Sequence, residues 1–309
     1  MDGYKIIVAY DFQELSDAAL KQAYKLANFV NGNILLLVVM DSDLLTLTNV
    51  FNNAHAEKLK QKITETMHEE ITERLEQFTR KATEESGIQV GFRVTTGRIY
   101  ECILNIAAEE TPRFIVMGRT SVRSSVTRFG SNTMRVVEKS NCPVITIPDI
   151  TSCSDFGNIV LPIDLTKQTR EEVFNAISFG LFFDATIHLV SVVMGGISAK
   201  KSRIYSKMQK MKKLIEENGV RCTEKLFKKS HHPIHEAILA YVDELHADTL
   251  MIMTHQEIST SDKYIGAVAH QIIHESSVPV ISLTSVASKD RQSEKARFWF
   301  NKLFSSKEI

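Results

Sequence analysis

Between Gly118 and Gly130 the chain reads GRTSVRSSVTRFG, with three arginines (Arg119, Arg123, Arg128) and five hydroxyl side chains between the glycines. The apolar run FIVM precedes this stretch, and Ser131, Asn132 and Thr133 follow it. A glycine leaving a strand lets the backbone turn and approach a ligand with no Cβ in the way, and a second glycine does the same where a helix begins. Ser131, Asn132 and Thr133 then occupy a first helical turn, whose unpaired N–H groups and positive end attract an anion. The chemistry that suits these residues is phosphate binding. Arginines add charge-assisted hydrogen bonds to phosphate oxygens, roughly 1.5 to 3 kcal/mol each. The competing reading of each arginine is a solvated surface side chain; Arg123 is the one assigned to the phosphate.

Other chemistries lack their residues. There is no GxSxG elbow to present a nucleophile, and no GxxxxGK[ST] loop to position a γ-phosphate and magnesium. The four cysteines (Cys102, Cys142, Cys153, Cys222) form no CxxC pair, so neither a disulfide framework nor a zinc ribbon is signalled, and a reducing cytoplasm is the natural compartment. Histidines gather in the second half at 231, 232, 235, 255, 270 and 274. His270 and His274 are four apart on an expected helix and share a face as metal ligands do. With no fixed cysteine beside them, they also read as surface histidines, and no metal site is assigned.

The elements that must position the loop come in two copies. KIIVAYDFQELSDAALKQAYKLANFVNGNILLLVVM, from Lys5, aligns without a gap on NIVLPIDLTKQTREEVFNAISFGLFFDATIHLVSVV, from Asn158, at an offset of 153. Each segment reads as apolar strand, aspartate (Asp11, Asp164), amphipathic helix and second apolar strand, the pattern of a parallel βαβ unit. Further on, YECILNIAAEETPRFIVMG parallels HEAILAYVDELHADTLMIMT, and GSNTMRVVEKSNCPVITI parallels GAVAHQIIHESSVPVISL at an offset of 136. The first copy is therefore 17 residues longer between its second and third strands. The excess falls in a charged helical stretch whose apolar residues Leu59, Ile63, Met67, Ile71, Leu75 and Phe78 recur at helical spacing. It reads as a long surface helix packed by one stripe.

Each copy is βαβαβαβαβ with continuous apolar strands, which implies a five-stranded parallel sheet with helices on both faces, an α/β fold. The expected division is a first domain over 1–150, a linker over 151–157, a second domain over 158–285 and an amphipathic tail over 286–309. In the tail, Phe298, Trp299, Phe300, Leu303 and Phe304 cluster with Arg297, Lys302 and Lys307. Such a segment docks onto protein or lies on a membrane surface, and the docking reading is preferred.

Across 309 residues the 37 basic and 37 acidic side chains cancel. No global field draws nucleic acid or an anionic bilayer, so any anion site is local. The start, MDGYKIIVAYDF, lacks the basic end and long apolar centre of a secretory signal. The longest clear apolar run, ILLLVVM at 34–40, is far short of the ~18 residues of a spanning helix.

The repeated pattern and its length resemble the universal stress protein family in its tandem form. The resemblance implies two tandem Rossmann-like domains of the adenine nucleotide alpha hydrolase type, and a bound adenine nucleotide: ATP, AMP or ADP. Nucleotide-binding members carry GxxG, nine residues, then G and Ser or Thr. Here Gly118 is followed by Ser121 in place of the second glycine, eight residues, then Gly130 and Ser131. By resemblance, Asp11 contacts the base, Ala9 stands where proline is common, and Val39 offers a backbone contact to adenine. Met117, Gly118, Thr120, Ser121, Gly130, Ser131, Asn132 and Thr133 match ribose and phosphate contacts, and Gly97 matches a glycine before the third helix, a turn rather than a contact. Asp11 reads equally as a helix cap or turn residue.

The second copy has lost the cradle. In THQEISTSDKYIGA, 254–267, Thr254 aligns with Gly118, Glu257 with Ser121 and Ala267 with Ser131; only Gly266 survives, and Glu257 and Asp262 repel phosphate. The duplication then works as a built-in dimer, with the halves meeting at VITI and VISL as family homodimers do, which covers two otherwise exposed edges. The HIGH and SGGxDS signatures of ATP-using superfamily relatives are missing, so no catalytic residue is assigned and slow ATP hydrolysis is the most that is expected. The functional expectation is a cytoplasmic, ATP-binding stress-response protein acting through its first half. The alternative is a non-nucleotide scaffold or signalling module that recruits partners, with the tail offering a protein or homodimer contact.

Overall fold

The computed structural model describes residues 5–41, 54–119, 131–163, 170–193, 198–228, 233–254 and 266–283. Ten strands form one sheet: β1 Ile6–Ala9, β2 Ile34–Asp41, β3 Val90–Gly97, β4 Phe114–Gly118, β5 Val144–Ile147, β6 Asn158–Pro162, β7 Thr186–Val193, β8 Cys222–Lys228, β9 Thr249–Met253 and β10 Val280–Leu283. Their order is β3-β2-β1-β4-β5-β10-β9-β6-β7-β8. All neighbours run parallel except β5 and β10, which pair antiparallel through Val280–Thr146, Ile281–Ile145 and Ser282–Val144. Each half is a five-stranded parallel sheet, and the seam between halves joins VITI to VISL.

Eight helices lie among the described residues: α1 Glu14–Val30, α2 Ala54–Ser86, α3 Ile99–Glu110, α4 Ser131–Lys139, α5 Arg170–Phe183, α6 Ser198–Glu217, α7 Ile234–Glu244 and α8 Ala267–Glu275. Strand side chains alternate between two cores, as a pleat demands. Helices α1, α2, α5 and α6 cover one core, which holds Ile6, Val8, Leu36 and Ile281, while α3, α4, α7 and α8 cover the other, which holds Ile7, Leu35, Met117 and Val280. Burial on both sides is why the strand sequences are continuously apolar. On α1 the small residues Ala18, Ala19, Ala23 and Ala27 are buried, so the helix lies close on the sheet, and Asn31 ends it in a left-handed conformation at φ 45°.

Strand register corrects the length difference between the copies. Ile6 pairs with Ile34 and Ile159 with Ile187, an offset of 153 for both strands. Ile34 pairs with Val90 but Ile187 with Cys222, so the third strands are only 132 apart. The first copy is thus 21 residues longer between its second and third strands, not 17. The second copy regains three before its third helix, since Ile99 and Ile234 start equivalent helices 135 apart. It regains one more between β9 and β10. The gapless comparison merged three separate changes.

The apolar stripe of α2 is also only partly packed. Leu75 is buried, and Ile71 and Phe78 rest on the core, but Ile63 and Met67 are exposed; the side chain of Leu59 lies outside the described residues. A 33-residue helix is about 50 Å long against about 26 Å for the eight-residue strands beside it, so its first turns overhang the core.

The linker is clamped to the first half. Gln22 is fully buried, donates to Ser154 O at 3.1 Å and accepts from Ser154 N at 2.7 Å. Phe156, in a left-handed conformation at φ 57°, stacks on Phe183 with ring centroids 4.3 Å apart and meets Phe29 edge-on at 6.3 Å. An aromatic cluster of Phe29, Phe114, Phe156, Phe179, Phe182 and Phe183 therefore bridges α1, the linker and α5.

Candidate functional site

In the first half the chain steps outward from β1 to β2 and β3, then returns to β4 on the other side of β1. The carboxyl ends of β1 and β4 flank this reversal, the place where open parallel sheets leave a crevice. Ala9, Val39 and Met117 project to one face there, packed with Ile99, Tyr100 and Met134 of α3 and α4. Asp11 follows β1, Gly118 ends β4, and Ser131 opens α4, with Asn132 half-buried and Thr133 buried. Of the sequence-derived candidates, Ala9, Asp11, Val39, Met117, Gly118, Asn132 and Thr133 are thus on elements that meet at this end. Thr120, Ser121, Arg123, Arg128 and Gly130 lie outside the described residues, as does the side chain of Ser131.

Asp11 is exposed and shapes the β1–α1 turn. Its Oδ1 accepts from Gln13 N at 3.1 Å, while its own N–H donates to Ser16 Oγ at 3.3 Å. Phe12 adopts φ 61° in this turn. Helix α1 starts after Gln13, which makes no side-chain cap, so Asp11 does the turn-forming work that its type favours. Beneath it Tyr10 donates to Asp17 Oδ1 at 2.6 Å and stacks on Phe78 at 5.6 Å. Burial, then the Asp17 bond, push the Tyr10 phenol far above its ordinary pKa. Arg74 sits 4.5 Å over the Phe12 ring, tying the turn to α2.

Gly118 serves packing. A Cβ there would come within 2.6 Å of Leu15 Cγ and 2.9 Å of Leu15 Cδ2, so the missing side chain admits the first turn of α1. Gly97 is similar, with a Cβ meeting Cys102 Sγ at 2.7 Å, which matches its turn reading.

Arg119 does not point to a phosphate position. Its N–H donates to Ile147 O at 2.8 Å, and its guanidinium reaches across the seam to Ser276 O at 2.8 Å and Ile273 O at 3.3 Å, with Pro148 O at 3.4 Å. The first two carbonyls close the last turn of α8, the negative end of that helix. Burial lowers the guanidinium pKa, with Asp149 opposing that shift. Sequence reasoning missed this role because the loop and the α8 terminus lie some 155 residues apart in the chain and nothing local marks the pair.

The second copy also needs realignment. Ile115 pairs with Val144 and Leu250 with Val280, so β4 and β9 are 135 apart while β5 and β10 are 136 apart. Met253 therefore stands at the position of Gly118, and Thr254 at that of Arg119 rather than Gly118. Thr254 N donates to Leu283 O at 2.9 Å, just as Arg119 N donates to Ile147 O. Its buried hydroxyl reaches the same carbonyl at 3.1 Å. The connection to α8 is one residue longer than that to α4, and Met253 fills the space with a side chain whose Sδ accepts from Asn175 Nδ2 at 3.1 Å. Asp164, His231, His232, His255, Glu257 and Asp262 lie outside the described residues.

Among the described residues no three His, Cys, Asp or Glu side chains converge as a metal site. His235 Nε2 lies 3.4 Å from Glu275 Oε2. No helix of the described residues is long and apolar enough to cross a membrane.

Comparison with known proteins follows the same division. The model of the universal stress protein family matches residues 4–148 and again 155–283. A universal stress protein of Methanocaldococcus jannaschii is 27% identical over 154 residues, 46% of this chain and 93% of its own. A universal stress protein from Archaeoglobus fulgidus shares the fold with a TM-score of 0.64 at 20% identity, over 90% of this chain and 97% of that one. A Pseudomonas aeruginosa protein of unknown function does so with a TM-score of 0.62 at 14% identity, over 98% of each chain. With two matches that together span most of its length, the chain belongs to the universal stress protein family, in tandem form.

Proposed function

We propose that this protein binds an adenine nucleotide, ATP foremost, in its first half, and that its second half does not. The observation that carries the reading is the meeting of Ala9, Asp11, Val39, Met117 and Gly118 at the strand-order reversal, where the next helix after β4 opens on Ser131, Asn132 and Thr133. The exposed Asp11 carboxylate and the backbone at Ala9 and Val39 would meet the base. Met117, Gly118 and Thr120 would meet the ribose, and Ser121, Arg123, Gly130 and the first turn of α4 the phosphates, whose charge suits a helix N-terminus. Leu15 closes the α1 side of Gly118, so the ligand would approach from the side of α3 and α4. In the second half Ala267 opens α8 where Ser131 opens α4, which supports the asymmetry. A reducing cytoplasm suits the four free cysteines.

The second reading is a module that works through protein contacts alone. Arg119 favours it, because the first residue after the strand is committed to the seam and not to the loop. Isothermal titration with ATP on the full chain and on Gly130→Glu separates the two: heat in the wild type that the variant loses supports binding, and no heat in either supports the module. AMP and cAMP belong among the probes, the latter being held in one solved family structure.

A further inference from the structure

We infer that the protein rests on an anionic lipid surface through the α5–α6 face of its second half, with the C-terminal segment as a second contact. Among the described residues seven large apolar side chains are exposed, and four of them belong to these two helices: Phe174 and Leu181 on α5, Tyr205 and Leu214 on α6, each 46% to 49% exposed. Phe174 and Leu181 are two turns apart on the side of α5 opposite its buried Ala176, Phe179 and Phe183. Residues 173–183 (VFNAISFGLFF) hold no charge. A helix that is apolar on every side is a covered one. The fold does not demand this. At the offset of 153 between the copies, Phe174 and Leu181 correspond to Lys21 and Asn28 of α1, which are exposed as well but polar.

Charge says what covers it. Helix α6 carries seven cations and no acid between 198 and 213 (SAKKSRIYSKMQKMKK). Gln209 and Lys212 reach Glu224 on β8 at the sheet edge, so Lys207, Lys210 and Leu214 share the flank turned toward α5. Leu181 closes the patch at the other end of α6, 4.0 Å from where a Cβ of Gly219 would stand. The acids at that end each meet a cation: Glu216 with Lys212, Glu217 with Lys213 and Asp184 with Arg221. The C-terminal segment repeats the combination, with six cations against three acids between 286 and 309 around Phe298, Trp299, Phe300, Leu303 and Phe304. Strand β10 runs parallel to β9, β6 and β7, so Leu283 leaves the sheet at the end where α5 and α6 begin. Two basic, apolar elements do not complement each other; both suit one partner that is broad, apolar and negatively charged. An anionic bilayer has that character, and stable attachment to it takes two such signals. A nucleic acid would match the cations and leave Phe174 and Leu181 without a partner. The acidic α2 lies on the same side of the sheet, but seven strand steps separate β2 from β7. At roughly 20° of twist each, they turn α2 more than a right angle away from the α6 edge.

Co-sedimentation of the full chain with vesicles tests the assignment, using phosphatidylcholine alone and an equal mixture of phosphatidylcholine and phosphatidylglycerol. Two variants at exposed positions, Phe174→Gln/Leu181→Asn on α5 and Lys210→Gln/Lys213→Gln on α6, are compared with Lys81→Gln on α2, each checked for native circular dichroism. The wild type is expected to bind the mixed vesicles only, and less as salt rises. The α5 and α6 variants should each lower the partition coefficient by about tenfold, and Lys81→Gln should leave it within about twofold. Trp299 is the one tryptophan of the chain, so a blue shift of its emission on the vesicles reports the second contact. Failure to bind the mixed vesicles, equal binding to both kinds, binding that both variants keep, a loss as large in Lys81→Gln, or an unshifted Trp299 overturns the inference. Binding of an acidic amphipathic peptide with the vesicles ignored would assign the face to a protein and overturn it too.

Discussion

Ile145 and Ile281 face each other at the centre of the antiparallel seam, and they are the same residue of the two copies, 136 positions apart. The local twofold that relates the halves therefore passes between them. Thr146 faces Val280, and Val144 faces Ser282, and the twofold carries each of these two pairs onto the other.

The symmetry is broken at one hydroxyl. Thr146 Oγ1 donates to Val280 O at a long 3.5 Å, whereas its equivalent, Ser282 Oγ, is buried with no hydrogen-bond partner. A buried hydroxyl without a partner costs about 1 to 3 kcal/mol of desolvation. Ser282→Ala is therefore expected to leave stability unchanged or raise it by about 1 kcal/mol in urea denaturation, whereas most buried substitutions lower it. A loss above about 1 kcal/mol would mean that the hydroxyl is satisfied in solution.

Arg119 ties the halves beside the β5–β10 seam. Arg119→Ala removes a guanidinium that satisfies two carbonyls at the end of α8. Bonds to a charged donor contribute about 1.5 to 3 kcal/mol, so the variant is expected to lose about that much, a fall of several degrees in Tm for a chain of this size. Arg119→Lys should recover only part, because one ammonium cannot span carbonyls on both sides of the seam. Heat of ATP binding that survives in Arg119→Ala would agree with a structural role for this arginine.

Much of this architecture was legible in the chain because parallel strands buried on both faces leave continuous apolar runs, and because a duplicated fold writes each run twice. IIVA and ILLLVVM gave strands at the right places, and VITI and VISL gave the seam. What escaped notice depended on register and distance. Gapless alignment placed Thr254 at Gly118, since a one-residue change in a loop leaves no mark on hydrophobic spacing; only the pairing of Leu250 with Val280 shows it. The tight contact of Gly118 with Leu15 belongs to helix packing that no local pattern encodes. The phosphate candidates Thr120, Ser121, Arg123 and Gly130 remain readable from sequence alone.

Gly180 makes a sharper packing prediction. It sits inside α5, and a Cβ there would meet Val220 Cγ1 at 2.3 Å and Val220 Cγ2 at 3.0 Å. Val220 is buried and cannot swing into solvent. Although alanine is the better helix former, Gly180→Ala should destabilise by about 1 to 3 kcal/mol through overpacking. Adding Val220→Ala should return part of that loss, a coupling that a double-mutant cycle measures directly.

Thiol reactivity should rank by burial. Cys222 is buried, and desolvation pushes its thiol up to about 12, while Cys153 is exposed in the linker. Thiolate is the reacting species, so iodoacetamide at neutral pH is expected to label Cys153 first and Cys222 only when the fold opens. Peptide mass spectrometry over a time course reads the order; early labelling of Cys222 would contradict the packing of β8 beneath α6.

The last prediction concerns acid. His188 is buried in β7, with Nδ1 2.7 Å from Thr223 Oγ1 and Nε2 3.2 Å from Asn158 Oδ1. A neutral ring meets both partners, one nitrogen accepting from the hydroxyl and the other donating to the amide oxygen. Burial lowers the pKa below 6.5, and Asp248 opposes that shift only in part. The unfolded chain therefore takes up a proton at a pH where the folded chain does not. Stability from this group is complete above about pH 6.5 and is lost as pH falls below it, until the folded ring protonates as well. Urea midpoints measured between about pH 7.5 and 5 should fall for the wild type and fall less for His188→Gln, which keeps polar groups in place without a titrating ring. Equal slopes in the two proteins would show that the ring is already solvated in the native state.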